Sequence, residues 1–371
     1  MKIGILTQPF FDNFGGILQA YALQNVLEQQ LGHRVIIINR IFHPIMMQEY
    51  ILRCLSVVKC LMLKVFCHRD DLQISDPFFY KYSVYKHAAC NFIKGNIHVS
   101  RPLGDNGQLR NYVNQSNFDA IIVGSDQVWR ADYSPNITNY FLDFLQEQSS
   151  VKRIAYAASF GTHHNPIPKS ILPICVNLAK RFDSISVREK GSVGFMEKTF
   201  GLTPQCVLDP TLLHTAEFYR KLYKSQPFTD ACYIVSYVLD ESKETELFVQ
   251  TVAETFCASV RKVSVGEKES SRYNIQEWLQ MIDNSVCVVT DFFHACVFSI
   301  IFQKPFICFG NKNRGMERFY SLLDPLGLSN RLVSAENYSI PTSEINWKQV
   351  NERLDQMRIL SRQFLEDALS F

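Results

Sequence analysis

The 371-residue sequence has almost no excess of either charge: 38 Lys and Arg face 36 Asp and Glu, a formal net charge of +2. Without a basic excess to neutralise phosphates, a bulk nucleic-acid binder is excluded, although a local basic site is not. No uninterrupted apolar run reaches membrane-spanning length. The opening MKIGILTQPF enters a strand directly and turns polar too soon for a signal peptide. The 11 cysteines form no CxxC pair and show no metal spacing. An odd number of this kind, with Cys232, Cys287 and Cys308 inside apolar strand runs, implies reduced, buried thiols in a cytoplasmic protein and no metal site. The Asn-x-Ser/Thr matches at Asn114, Asn136 and Asn337 are then chance. GxGxxG is missing, so no dinucleotide is inferred. No internal repeat or low-complexity tract is present.

What is present is an apolar fraction of 47% and a charged fraction of 20%, the composition of a soluble globular protein. The chain is too long for one ordinary core, and two domains are expected. Lys2 to Leu6 reads as a strand. Gly15-Gly16 then opens a helix running to about Leu31, with Gly32 as its stop and Val35 to Ile38 as the next strand. Asn13 adds a polar group that the turn itself does not need, and paired glycines let a ligand approach free N–H groups at a helix start. The alternative is that the glycines only permit a tight turn.

Tyr50 to Arg69 is apolar with Arg53, Lys59, Lys64 and Arg69 interleaved. It fits a helix packed on its own domain or one resting weakly on a membrane surface. Phe118 to Val123 is a strand that ends in Gly124-Ser125-Asp126-Gln127. Ligands of open α/β sheets bind outside such carboxyl ends. Asp126 there is either an acid or base or the cap of a following turn. Lys152 to Ala157 and Phe182 to Val187 are further strands, the latter ending in Arg188-Glu189 before a helix at Lys190 to Lys198. Val207-Leu208-Asp209-Pro210-Thr211 closes the first domain, with Pro210 blocking a helix directly after the strand.

A linker is expected near Lys224 to Thr229. A second α/β set follows: Ala231 to Val238, a helix at Lys243 to Phe256, Val260 to Val265, and a short helix at Ile275 to Ile282. Its centre is the stretch Ser285 to Gly310. A buried strand (Val286 to Val289) leads into a helix (Phe293 to Phe302) and a second strand (Pro305 to Phe309). His294 falls in the first turn of that helix, where an imidazole is either at a ligand or bonded to local backbone. Gly310 to Arg318 is a basic loop carrying Lys312, Arg314 and Arg318. Trp347 to Leu369 is a long helix.

The segments KIGILTQPFFDNFGGILQAYALQNVLEQQLGHRVIIINR, FDAIIVGSDQVWR, RIAYAASFG, SISVREKGS, VLDPTLL and TDFFHACVFSIIFQKPFI occur in this order across nearly the whole chain. Together they resemble the polysaccharide pyruvyl transferases. The resemblance implies an α/β fold of two facing Rossmann-like, GT-B-like domains with a cleft between them and a C-terminal helix returning to the first. The expected divisions are 1–224 on the acceptor side, 230–345 on the donor side, and 346–371 for the helix. It also implies phosphoenolpyruvate as donor substrate, with no further cofactor, and a sugar or lipid-linked glycan as acceptor. The enzyme would then work in the cytoplasm or peripherally at the inner membrane face.

His294 matches the family's histidine at the donor site, and it and Asp126 are the expected catalytic pair. Phosphoenolpyruvate brings a carboxylate and a phosphate, so convergent cations are expected at Arg188, Lys312, Arg314 and Arg318. Asn13, Gly15, Gly16, Ser125 and Gln127 form the expected acceptor or anion loop. Better-known members carry Arg-x-His here, whereas Phe292 stands two residues before His294. Either the other basic residues replace that cation, or the donor differs. The other readings are a GT-B glycosyltransferase using a nucleotide sugar and a non-catalytic glycan-binding relative. The E-x7-E spacing of Glu269 and Glu277 lies one element too early to support the first of these.

Overall fold

The computed structural model describes residues 1–10, 13–42, 89–161, 165–223, 232–240, 242–263, 273–310, 316–333, 340–341 and 343–370. The segment Tyr50 to Arg69, the linker near Lys224 to Thr229, Glu269, Lys312 and Arg314 lie outside the described residues.

Short apolar runs make two parallel sheets. The first contains β1 (Lys2–Leu6), β2 (Arg34–Ile37), β3 (Ala120–Val123), β4 (Lys152–Ala158), β5 (Ser184–Val187) and β6 (Gln205–Cys206), in the order β2-β1-β3-β4-β5-β6. The second contains β7 (Tyr233–Tyr237), β8 (Ser259–Lys262), β9 (Cys287–Thr290), β10 (Phe306–Phe309) and β11 (Leu332–Val333), in the order β11-β10-β9-β7-β8. Every residue of β3, β7, β9 and β10 is buried, as continuous Val, Ile and Phe runs require when helices cover both faces.

The helices of the first half are α1 (Phe14–Asn25), α2 (Asn106–Ser116), α3 (Leu172–Ala179), α4 (Lys190–Phe200) and α5 (Ala216–Arg220). Those of the second are α6 (Lys243–Thr255), α7 (Ile275–Asn284), α8 (Phe293–Ile301), α9 (Glu317–Leu326) and α10 (Trp347–Leu369). Their starts are written locally. Asp105 caps α2, and Asn274 with Glu277 makes a reciprocal capping box on α7. That box occupies Glu277, which explains its spacing without a catalytic role.

One apolar core runs through the seam between the halves. Phe14 meets Trp278 edge-on at 6.1 Å and Tyr219 meets Phe298 at 4.9 Å. Arg220 on α5 grips both oxygens of Asp283 on α7, at 2.8 and 2.9 Å. The C-terminal helix α10 returns to the first half as the sequence suggests. Leu208 N donates to Ser361 Oγ at 3.0 Å, Arg358 Nε to Leu212 O at 2.6 Å, and Arg362 to Leu213 O at 2.7 Å. Leu365, buried on the same helix, adds about 1.5–3 kcal/mol of apolar burial.

Four local expectations are corrected. The first helix begins at Phe14 and gives way to a π-helical turn at Val26–Gln30. Pro210 does not block helix but starts a 3₁₀ turn, Pro210–Leu213, because its fixed φ and missing N–H suit a first position. Arg318 is not in a loop; it lies in the first turn of α9. Cys232 is exposed, as are Cys206 and Cys257, because β7 begins only at Tyr233. Among the described residues no helix is long and apolar enough to cross a membrane. Among them, too, no group of three or more His, Cys, Asp or Glu side chains could hold a metal ion.

Candidate active site

Four chain segments converge where the strands of the first sheet end. Asp126 follows β3, Arg188 follows β5, Asp209 follows β6, and His294 stands in the first turn of α8 from the second half. Arg188 is their hub. Its Nη1 donates to Asp209 Oδ2 at 2.9 Å, its Nε to Glu189 Oε1 at 3.0 Å, and its Nη2 to Asp126 Oδ1 at 3.4 Å. The guanidinium also lies 4.7 Å from the Phe293 ring centroid. Burial works against its charge, but Glu189, Asp126 and Asp209 outweigh that and raise its pKa above the usual arginine range. Three carboxylates around one buried arginine are a rigid frame rather than an open anion site.

Asp209 is fully enclosed. Its Oδ1 accepts from Thr211 N at 3.0 Å and from Thr211 Oγ1 at 2.7 Å. Burial pushes the carboxyl up, but His294, Arg188 and Thr211 reverse this and hold it far below the usual carboxylate range. His294 Nε2 stands 3.6 Å from Asp209 Oδ2, and its side chain is only 4% exposed.

The other edge of the imidazole explains Gly15. A Cβ at that position would sit 2.1 Å from His294 Nδ1 and 2.2 Å from its Cγ. Gly15 therefore makes room for a side chain from the other half. The expected approach of an anion to this glycine is corrected: a histidine is already there. Asn13 caps α1 by accepting from Gly16 N at 3.1 Å, and it also lines the neighbouring cleft. Ser125 also faces inward, with its N–H on Gln19 Oε1 at 3.1 Å and its Oγ on Ala157 O at 3.0 Å. Gln127 accepts from Arg130 Nη1 at 3.1 Å and folds over Gly161.

Gly16 and Asp126 instead border a cleft of about 380 Å³ that is also lined by Gln8, Phe10, Asp132 and Tyr133. Arg130 stacks over Tyr133 at 4.1 Å. Asp126, with φ of 71°, takes a left-handed conformation that turns its carboxylate toward α1, 3.5 Å from where a Gly16 Cβ would stand. It caps no helix. Arg318 also lies over the Phe293 ring, 5.9 Å from its centroid, in a small recess with Glu189, Ser192 and Glu317. Phe292 donates its N–H to Thr290 Oγ1 and packs its ring 4.8 Å from Tyr237. Sequence reasoning missed Asp209 and Glu189 as site residues. The strand-end rule that singled out Asp126 and Arg188 applies to both.

Compared with solved structures, the chain is similar to UDP-GlcNAc 2-epimerase from Methanocaldococcus jannaschii, at 10% identity and a TM-score of 0.50, over 96% of this chain and 93% of that one. UDP-GlcNAc 2-epimerase from Neisseria meningitidis bound to UDP-GlcNAc gives 10% identity and 0.49, over 100% and 95%. The first shows the fold, two GT-B-like parallel α/β domains, and at that identity the fold alone. No curated protein matches the chain. The family profile of the polysaccharide pyruvyl transferases matches residues 13–313, the greater part of the sequence, with Gly15, Asp126, Arg188, Asp209 and His294 all inside the match. The chain is a member of the polysaccharide pyruvyl transferase family, and its activity is that of a transferase.

Proposed function

We propose that the protein moves the enolpyruvyl unit of phosphoenolpyruvate onto two hydroxyls of a sugar in a surface polysaccharide or its precursor, forming a cyclic pyruvate ketal. The observation that carries this reading is a buried histidine from one half seated in the first turn of α1 of the other, beside a carboxylate-bordered cleft. The cleft takes the acceptor sugar. Its volume suits a sugar ring with its substituents, and it offers Tyr133 and Phe10 for the ring face and Asp126 and Asp132 for hydroxyls.

His294 gives a proton to the methylene carbon, so that an N–H bond breaks and a C–H bond forms. The first sugar hydroxyl bonds to the adjacent carbon, and its proton passes to Asp126. The second hydroxyl then displaces phosphate, which departs with the electron pair of the C–O bond and the second hydroxyl's proton. A proton equivalent to the first restores His294. Arg318, with Lys312 and Arg314, meets the donor's carboxylate and phosphate, while Arg188 orders the carboxylates behind them.

The test is His294→Ala assayed for phosphate release with donor and glycan acceptor. Turnover is expected to fall by about two to four orders of magnitude while the melting temperature stays close to wild type. Near-normal turnover rejects the role, and a large loss of stability with activity kept makes His294 structural. Phe292 in place of arginine favours a second reading, a nucleotide-sugar donor. A thermal-shift panel of phosphoenolpyruvate against UDP-, GDP- and TDP-sugars separates the two, since only a ligand of the folded state raises its melting temperature.

A further inference from the structure

We propose that Asp209 is a positioning residue that claims His294 Nε2, leaving Nδ1 as the nitrogen that exchanges protons with substrate. The inference deepens the proposed function and rests on it for the reaction, but not for the geometry.

Nε2 is buried and bonds to nothing else among the described residues. An unpaired buried N–H costs about 1–3 kcal/mol, so the ring gains by turning toward whatever acceptor faces it. The acceptor facing it is Asp209 Oδ2, at 3.6 Å. That carboxylate cannot come to meet the ring. Thr211 holds Oδ1 with two hydrogen bonds, and Arg188 Nη1 holds Oδ2. The turn that carries it is pinned by Ser361, Arg358 and Arg362 of α10. Arg188 is itself fixed by Glu189 and Asp126. The imidazole therefore closes on a stationary oxygen, with its Nε2 proton donated to Asp209.

Nδ1 is turned the other way, against the backbone of Gly15. Gly16 is the next residue, and it borders the cleft with Asp126. Nδ1 thus faces the turn of α1 whose next residue opens on the cleft. In the proposed reaction the doubly protonated ring gives its Nδ1 proton to the methylene carbon, the N–H bond breaking as the C–H bond forms, and is left as the neutral Nε2–H form bonded to Asp209. This is the division of labour in which one nitrogen is oriented by a second group and the other does chemistry.

The experiment reads the tautomer directly in ligand-free protein, by long-range ¹H–¹⁵N correlation of ¹⁵N-histidine-labelled material. A His294→Gln sample assigns the resonance among the nine histidines. The neutral ring is expected as the Nε2–H form, and an Nδ1–H ring in wild type overturns the proposal. In Asp209→Asn the carboxamide keeps its oxygen on the two Thr211 donors, which puts its NH₂ toward Nε2 and takes from Arg188 Nη1 its acceptor. The ring is then expected to switch to Nδ1–H, with kcat falling about 10²–10⁴-fold. A folded Asp209→Asn protein with unchanged tautomer and near-normal turnover also overturns it. Should Asp209→Asn not fold, the wild-type spectrum alone decides. An Nε2–H ring in a protein that never uses phosphoenolpyruvate leaves this geometry standing and removes the proposed donor instead.

Discussion

Gly15→Ala isolates the catalytic geometry from the fold. The added methyl would stand 2.1 Å from His294 Nδ1, 2.2 Å from Cγ and 2.6 Å from Cβ. Carbon atoms settle at about 3.5–4.0 Å, so one of the two side chains has to move by more than an ångström. The alanine is fixed to helix α1 and cannot. His294 is held on one flank by Phe293 and has its other edge toward Asp209, so it swings out of the notch. Overpacking of this kind costs about 1–3 kcal/mol, and part of it returns because alanine favours helix over glycine by up to about 1 kcal/mol. The net loss of stability is therefore about 0–2 kcal/mol, a few degrees in melting temperature. Displacing a catalytic group by an ångström, in contrast, costs about a hundredfold in rate. Phosphate-release kinetics alongside a thermal melt should show turnover down at least that far in a protein that still melts cooperatively. Gly194→Ala, on α4, is the control, since its methyl would meet nothing within 4 Å and should change turnover by less than about tenfold. Comparable, near-normal turnover in both variants would refute the notch.

Two further outcomes concern stability. His214 is buried against Phe218 and donates from Nε2 to Ala22 O at 2.9 Å; burial, opposed in part by that bond, pulls its pKa down to about 4. The unfolded chain thus binds a proton that the folded one refuses. The contribution is fully present above about pH 6.5 and is lost progressively down to about pH 4, at most about 3 kcal/mol. Urea midpoints of wild type should fall across this window, and His214→Phe should flatten that part of the slope. Arg358→Ala removes the donors to Leu212 O and His214 O, and should cost about 2 kcal/mol in the same assay. An unchanged midpoint would mean that α10 is held by its apolar face alone.

The strands and helices were readable because each is a short apolar run bounded by polar or glycine residues, and the C-terminal helix Trp347–Leu369 matches its expected limits. His294, Arg188 and Asp126 were readable because strand ends are where such sheets place chemistry. Other features depended on partners remote in sequence. Nothing near Gly15 reveals that the space it leaves is filled by residue 294. Asn13 resembled a ligand group because a side-chain cap and a ligand contact use the same atoms. Arg188 resembled an open anion site because Asp126 and Asp209, which enclose it together with the adjacent Glu189, are far from it in sequence. Asp209 was hidden behind Pro210, which local rules read as a helix stop.

The notch at Gly15 also bears on how relatives of this enzyme can be recombined. A histidine delivered by one half into a gap in the other makes the two halves a matched pair, like a key cut for one lock. A chimera joined at the linker must inherit glycine at position 15 from one parent and the histidine from the other. It must also keep Phe14 and Trp278, Tyr219 and Phe298, and Arg220 and Asp283 compatible across the seam. Exchange of whole halves is then a poor route to a new acceptor. Gln8, Phe10, Asp132 and Tyr133 line the cleft and all belong to the first half. Point changes there can alter which sugar is held without disturbing the fit between lock and key.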